Sequence, residues 1–130
     1  PFGRDAMKEL IDAFRAEGIR IGLYYSLIDW HHPDFLVKDP IHPERNNKKE
    51  LAKDSNRNLQ NFQKYLKNQL TEILTNYGKI DILFTDFSYP HRENGKGKAY
   101  WNSEDLYGQI RKLQPQIIIN DRLDLREEGG

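Results

Sequence analysis

The sequence contains no cysteine, which excludes a disulfide framework, a thiolate metal site and a cysteine nucleophile. It also has no net charge at neutral pH, because 20 basic residues balance 20 acidic ones. A balanced chain has no overall field that attracts nucleic acid or an anionic membrane. The longest apolar runs, such as Ile82 to Phe84, are far shorter than the roughly 20 residues that cross a bilayer. We therefore expect no nucleic-acid partner and no membrane partner, and the compartment stays open.

Three segments have apolar side chains at helical spacing. They are residues 5–17, residues 59–77 and the stretch from Ser103 to the residue before Pro115. Asp5 and Ser103 are suited to cap the first and third segments, because short oxygen-bearing side chains accept hydrogen bonds from the free N–H groups of a helix start. We predict a helix for each segment.

Short runs of aliphatic and aromatic residues follow each predicted helix. They cover residues 19–25, 81–86 and 117–119 and are typical of buried strands. The order is therefore helix, strand, helix, strand, helix, strand. Such alternation implies parallel strands joined by right-handed crossovers, so the predicted fold class is α/β.

A long connection follows the first predicted strand. Residues 27–55 lose the apolar periodicity, and we predict a surface loop there. The stretch from His31 to Asp34, together with His42, raises the question of a metal site. No spaced set of histidines and carboxylates completes such a site, so we expect no metal and interpret this loop as solvated or glycan-contacting.

The ends of the predicted strands carry the polar chemistry. No glycine-rich phosphate loop follows any strand, which removes the main support for a dinucleotide-binding fold. Instead, the strands end on residues 24–26, on Asp86 and on residues 120–122. In a (β/α)8 barrel the active site is built at this end of the strands. By itself, Asp86 is open to two interpretations, a turn-forming carboxylate and a catalytic one.

Strand alternation predicts which of these side chains share a face. Side chains two residues apart point to the same side of a strand. Phe84 therefore lies on the face of Asp86, while Thr85 points away. Tyr24 and its neighbour Tyr25 are separated in the same manner.

Several stretches, in order and spacing along nearly the whole chain, resemble the α-L-fucosidases of glycoside hydrolase family twenty-nine. They are Gly22-Leu23-Tyr24-Tyr25-Ser26, Asp29-Trp30, Asn76-Tyr77-Gly78, the strand ending at Asp86, Leu113-Gln114-Pro115 and Ile119-Asn120-Asp121-Arg122. The resemblance implies a partial (β/α)8 TIM-like barrel. It also implies a retaining glycosidase that removes terminal α-L-fucose from glycans without a metal or organic cofactor.

The resemblance also implies roles for individual residues. Asp86 matches the catalytic nucleophile of the family, at the end of the fourth barrel strand. Tyr24 and Arg122 match residues that contact the sugar, and Phe84 stands where many relatives have a tryptophan that lines the pocket. Trp30 matches a tryptophan in the loop after the third strand. We therefore predict a pocket lined by Tyr24, Phe84, Asp86 and Arg122.

Two parts of the family pattern have no counterpart in this sequence. The histidine pair of the second strand and the acid/base glutamate match nothing here, and residues 1–130 are about half of the roughly 250 that such a barrel needs. We expect an incomplete domain that covers about the third to fifth strands. By itself it should be inactive, and its exposed sheet edges should promote self-association.

Two further functions remain open. One is another retaining barrel glycosidase, such as a galactosidase. The other is a sugar-binding half-barrel without catalysis. In each case the expected partner is a glycan. For the favoured hypothesis, an α-L-fucosidase, the expected partner is a fucosylated oligosaccharide or glycoconjugate.

Overall fold

The computed structural model describes residues 3–125. Helices and strands alternate along this range, with short additions in the connections. In chain order the elements are α1 (Ala6–Ala16), β1 (Gly22–Ser26), α2 (Lys48–Ala52), a 3-10 turn (Lys53–Asn56), α3 (Leu59–Asn76), β2 (Ile82–Asp86), α4 (Lys98–Trp101), α5 (Ser103–Leu113), β3 (Ile118–Ile119) and a second 3-10 turn (Asp121–Leu123). No helix in this range is long and apolar enough to span a membrane.

The three strands form one parallel sheet in the order β1-β2-β3. The predicted α/β fold is therefore confirmed, with somewhat shorter strands at their amino ends. Ser26 pairs with Asp86 in the register between β1 and β2. The carboxyl end of the central strand thus carries the carboxylate that the sequence singled out.

The two faces of the sheet differ in how they are covered. Leu83 and Thr85 are fully buried on the face that the helices cover, where the apolar side of α3 also packs. We call the opposite face the uncovered face. Its exposed apolar and aromatic side chains are Tyr24, Ile82, Phe84 and Ile118. Helices on one side and an inward-facing sheet on the other are the layers of a (β/α)8 barrel, so the chain has the fold of a partial barrel.

The helix ends explain where the chain turns. The carboxylate of Asp5 accepts a hydrogen bond from Lys8 N at 2.9 Å, which confirms the predicted cap of α1. The prediction for Ser103 was wrong. Ser103 is the first residue of α5 and is buried, while Asn102 precedes it in a left-handed conformation. Since α4 ends immediately before, Asn102 has to reverse the chain, and Ser103 is already helical.

The prediction of a surface loop over residues 27–55 was also wrong in part. Phe35 and Val37 are buried, and the ring of Phe35 packs on Phe62 with centroids 5.2 Å apart. The carboxylate of Asp54 accepts hydrogen bonds from the backbone N–H groups of Val37 and Lys38 at 2.9 and 2.8 Å. The connection is thus folded onto α3 by a few spaced apolar residues, a pattern without the periodicity that marks helices and strands.

Candidate active site

Three hydrogen-bond donors converge on the carboxylate of Asp86. The backbone N–H of Phe87 donates to Oδ1 at 2.8 Å, and Nη1 of Arg122 donates to the same oxygen at 3.2 Å. The hydroxyl of Tyr24 donates to Oδ2 at 3.0 Å. The side chain of Asp86 is 23% exposed. Its orientation is therefore held from three directions while part of it remains open to a ligand.

Tyr24 and Phe84 form an aromatic wall beside this carboxylate. Their rings stack with centroids 5.7 Å apart and planes 16° from parallel. They occupy paired positions of β1 and β2, because Tyr24 is the register partner of Phe84. Partial burial raises the pKa of the Tyr24 phenol, and the hydrogen bond to Asp86 raises that pKa further. The phenol therefore stays protonated at neutral pH and acts as a donor.

Arg122 reaches Asp86 from the turn that follows β3. Its position depends on Asn120, two residues earlier in the chain. The Asn120 side chain makes the hydrogen bonds to β2 that a further backbone residue of β3 would make. Oδ1 of Asn120 accepts from the backbone N–H of Thr85 at 2.9 Å, and Nδ2 donates to the carbonyl of Thr85 at 2.8 Å. The sequence pattern predicted that Asn120 lies at the end of the strand, but it did not predict these hydrogen bonds. An amide directly after a buried strand was the available signal.

Phe87 adopts a left-handed backbone conformation directly after Asp86. Its φ is +79°, which is costly for a residue with a Cβ. This conformation directs the N–H of Phe87 at the Asp86 carboxylate. The following loop is closed by the N–H of Tyr89, which donates to the carbonyl of Lys96 at 2.7 Å. Backbone strain of this kind is concentrated at functional sites in proteins, and nothing in the local sequence signals it.

Trp30 is separate from the group that surrounds Asp86. Its side chain is exposed, and its ring contacts His42 with centroids 6.0 Å apart. Within residues 3–125 no hydrogen bond or ring contact joins Trp30 to Tyr24, Phe84 or Asp86. The structure thus brings together four of the five predicted site residues and leaves Trp30 on the connection after β1.

Two histidines of that connection, His32 and His42, pack against aromatic rings. Nδ1 of His32 accepts from the N–H of Asp34, and its ring lies 4.5 Å from that of Tyr65. His42 is buried, which lowers the pKa of its imidazole. The expectation of a solvated loop was therefore wrong for His42. In the described part of the chain, no group of three His, Cys, Asp or Glu residues could hold a metal ion.

Solved structures that match this chain include α-L-fucosidases. The chain matches α-L-fucosidase isoenzyme 1 from Paenibacillus thiaminolyticus with a TM-score of 0.82 and 46% identity, over 95% of this chain and 28% of that one. It also matches an α-L-fucosidase from Lactobacillus casei in complex with α-L-fucose product, with a TM-score of 0.71 and 31% identity, over 99% of this chain and 39% of that one.

Curated relatives agree with these structures. The chain is 28% identical to the tissue α-L-fucosidase of Rattus norvegicus over 92% of its own length, and it spans only 22% of that relative. It is 30% identical to the plasma α-L-fucosidase of the same species, of which it spans 23%. The family model described as alpha-L-fucosidase matches residues 1–129. The chain therefore belongs to the α-L-fucosidase family.

Proposed function

We propose that this chain supplies the nucleophile and part of the sugar pocket of a retaining α-L-fucosidase, which hydrolyses terminal α-L-fucose from glycans. The observation that carries the proposal is the carboxylate of Asp86 at the carboxyl end of the central strand, held by Tyr24 and Arg122. A strand end is rigid, which suits a nucleophile that must be aimed within a fraction of an ångström.

The hydrogen bonds distinguish the two oxygens of Asp86. Oδ1 accepts from both Phe87 and Arg122, whereas Oδ2 accepts only from Tyr24 in the described residues. Oδ2 therefore keeps a lone pair for attack on the anomeric carbon. That attack forms an ester to the sugar as the glycosidic oxygen leaves with a proton from an acid. Water then cleaves the ester with the same group acting as base, and the configuration is retained.

The aromatic wall supports fucose as the sugar. Fucose has a methyl group and apolar C–H faces, which suit contact with the rings of Tyr24 and Phe84. Its hydroxyl groups need a few placed polar partners. Arg122, which donates to the Asp86 carboxylate, is the candidate for such a partner. The relative from Lactobacillus casei was solved with α-L-fucose, which supports the same sugar here. For Trp30, which lies apart, we propose contact with the glycan beyond fucose.

The proton donor has to come from outside this chain. The sequence has no counterpart of the family's acid/base glutamate, and the chain spans less than two fifths of the solved relatives described above. We propose that residues 1–130 act as the third-to-fifth-strand segment of a longer barrel. By themselves they should bind sugar without turnover, because general acid–base assistance is typically worth about 100- to 10,000-fold in rate.

Replacement of the nucleophile tests this proposal. In the full-length protein that carries this chain, Asp86→Gly should abolish release of p-nitrophenol from p-nitrophenyl α-L-fucoside. Azide should restore part of the activity, because a small anion can enter the space that the carboxylate leaves. NMR of the first product formed by the unaltered enzyme should show the α-anomer. Asp105→Asn, on the outer helix α5, is the matched control and should keep full activity.

Three results would contradict the proposal in different ways. Full turnover by Asp86→Gly would remove Asp86 from the nucleophilic role. A β-anomer as first product would exclude the retaining mechanism. Preferred turnover of the corresponding galactoside would favour a different barrel glycosidase.

A further inference from the structure

A cavity of about 360 Å³ lies between the connections that follow β1 and β2. Lys38, Asp39 and Arg45 line it from the first connection, and Arg92 and Glu93 line it from the second. Both connections leave the carboxyl ends of adjacent parallel strands. Both connections therefore start at the end of the sheet that carries Asp86, although none of the four proposed pocket residues lines the cavity.

A buried ion pair ties the two walls of the cavity together. Nζ of Lys96 donates to Oδ2 of Asp39 at 2.6 Å and to the carbonyl of Lys38 at 3.1 Å. The side chains of Lys96 and Asp39 are only 4% and 2% exposed. Burial lowers the pKa of the Lys96 ammonium, and its hydrogen bond to Asp39 opposes that shift. The pair fixes the cavity walls and cancels the charge of Asp39.

Three side chains of the lining are basic, namely Lys38, Arg45 and Arg92. Nη1 of Arg45 donates to the backbone carbonyl of His42 at 3.0 Å, and the guanidinium of Arg92 lies 4.7 Å from the centre of the Tyr89 ring. Both side chains are thus positioned by neutral groups. Within residues 3–125 no salt bridge involves Lys38, Arg45 or Arg92.

The cavity consequently has an excess of positive charge. With Asp39 neutralised, Glu93 is the remaining carboxylate of its lining, against three cations. Guanidinium groups present planar pairs of N–H donors that match the oxygens of a sulfate or a carboxylate. Because the whole chain has a net charge of zero, this excess is a local feature and does not reflect a generally basic protein.

We propose that this cavity binds an oxyanion group, either a sulfate ester or a carboxylate, on the glycan to which the fucose is attached. The inference rests on the proposed function, since it takes the fucose to be held at Asp86. The cavity then acts as a specificity-determining site for acidic glycans, and Arg45 and Arg92 are the residues that select for them.

Matched substrates test the proposal in the full-length protein. A neutral fucosylated trisaccharide is compared with the same trisaccharide carrying a sulfate ester, and with a derivative carrying sialic acid, on the sugar next to fucose. We expect kcat/KM to be higher for at least one acidic substrate. Arg45→Gln and Arg92→Gln should each reduce that preference about two- to fivefold and leave kcat/KM for the neutral substrate unchanged. The preference should also fade in about 1 M salt, where the Debye length is about 3 Å.

Lys112→Gln is the matched control for the loss of one positive charge. Lys112 lies in the last turn of α5, which leads into β3 and is therefore at the opposite end of the sheet from Asp86. Its substitution should leave the preference intact. Which acidic substrate responds to the arginine variants separates sulfate from carboxylate recognition.

Calorimetry separates failure of this inference from failure of the proposed function. Binding of the sulfated and the sialylated glycan without fucose, relative to its neutral counterpart, is measured on the full-length protein and on Arg45→Gln. Tighter binding of an acidic glycan that weakens in Arg45→Gln supports the cavity even when no fucoside is hydrolysed. Equal binding and equal turnover of all substrates, unaffected by either arginine variant, would overturn it.

Discussion

The carboxylate of Asp86 accepts hydrogen bonds from three donors of different strength. Arg122 contributes a charged donor, Tyr24 a neutral phenol, and Phe87 a backbone N–H. The third of these requires a left-handed backbone at a phenylalanine, which costs about 1–2 kcal/mol relative to the ordinary helical region. A strained backbone conformation persists where the surrounding structure enforces it. Here the closed loop after β2 enforces the conformation of Phe87.

Tyr24→Phe tests the contribution of the phenol at the residue scale. The change removes the hydrogen bond to Oδ2 of Asp86 and keeps the ring that stacks on Phe84. A hydrogen bond to a charged group is worth about 1.5 kcal/mol or somewhat more, so kcat/KM for p-nitrophenyl α-L-fucoside in the full-length protein should fall roughly tenfold. Because the pKa of Tyr24 is raised above its usual value of 10.0, the phenol stays protonated and the loss should be the same from pH 5 to 8.

Tyr25→Phe is the matched control for that experiment. Tyr25 faces away from the site, and its hydroxyl donates to Gln69 at 2.9 Å behind the sheet. Its removal should lower the free energy of unfolding by about 1 kcal/mol and leave kcat/KM unchanged. A larger kinetic effect from Tyr25 than from Tyr24 would contradict the assignment of the uncovered face to the sugar pocket.

At the scale of elements, β3 is completed by a side chain. The strand contains only Ile118–Ile119, and the amide of Asn120 continues its pairing with β2 at Thr85. The same turn then delivers Arg122 to Asp86. The strand end and the site residue therefore depend on one amide.

Asn120→Ala should be costly for this reason. It leaves the N–H, the hydroxyl and the carbonyl of Thr85 without the amide, and Thr85 is fully buried. An unpaired buried polar group costs about 1–3 kcal/mol, so the urea midpoint of the full-length protein should fall by an amount equivalent to at least about 2 kcal/mol. Asn76→Ala, at the exposed end of α3, should change stability by less than about 0.5 kcal/mol. Equal effects of the two substitutions would show that the Asn120 amide does not complete the sheet.

At the scale of the whole molecule, the uncovered face is the dominant feature. Tyr24 is 59% exposed and Ile118 is 62% exposed, and within the described range each of β1 and β3 has a neighbour on one side only. Open edges and apolar faces promote association between chains. A net charge of zero adds no long-range repulsion to oppose it.

We therefore expect the 130-residue chain to self-associate in dilute solution. Ile82→Lys combined with Ile118→Lys should reduce the associated fraction, because these two residues are register partners and lie side by side on the uncovered face. Light scattering at several concentrations measures the change. Asn76→Lys adds positive charge on the helical side and should have little effect. A stable monomer of the unaltered chain would contradict this expectation.

The sequence by itself determined the local features of this protein. Apolar spacing of about 3.6 residues marked α1, α3 and α5, and alternation along β2 correctly separated Phe84 and Asp86 from Thr85. These patterns are readable because each depends on residues a few positions apart. The family resemblance, which the family match confirms, also rests on short stretches in order along the chain.

Only the tertiary structure decided how distant residues meet. Tyr24 and Asp86 are 62 positions apart, Arg122 and Asp86 are 36 apart, and no local period encodes either contact. The buried pair of Lys96 and Asp39 joins two connections without regular pattern, and it turned a predicted surface loop into a cavity wall. Such contacts depend on where the packed sheet and helices place the carboxyl ends of the strands and the connections that follow them. They therefore form only in the folded protein.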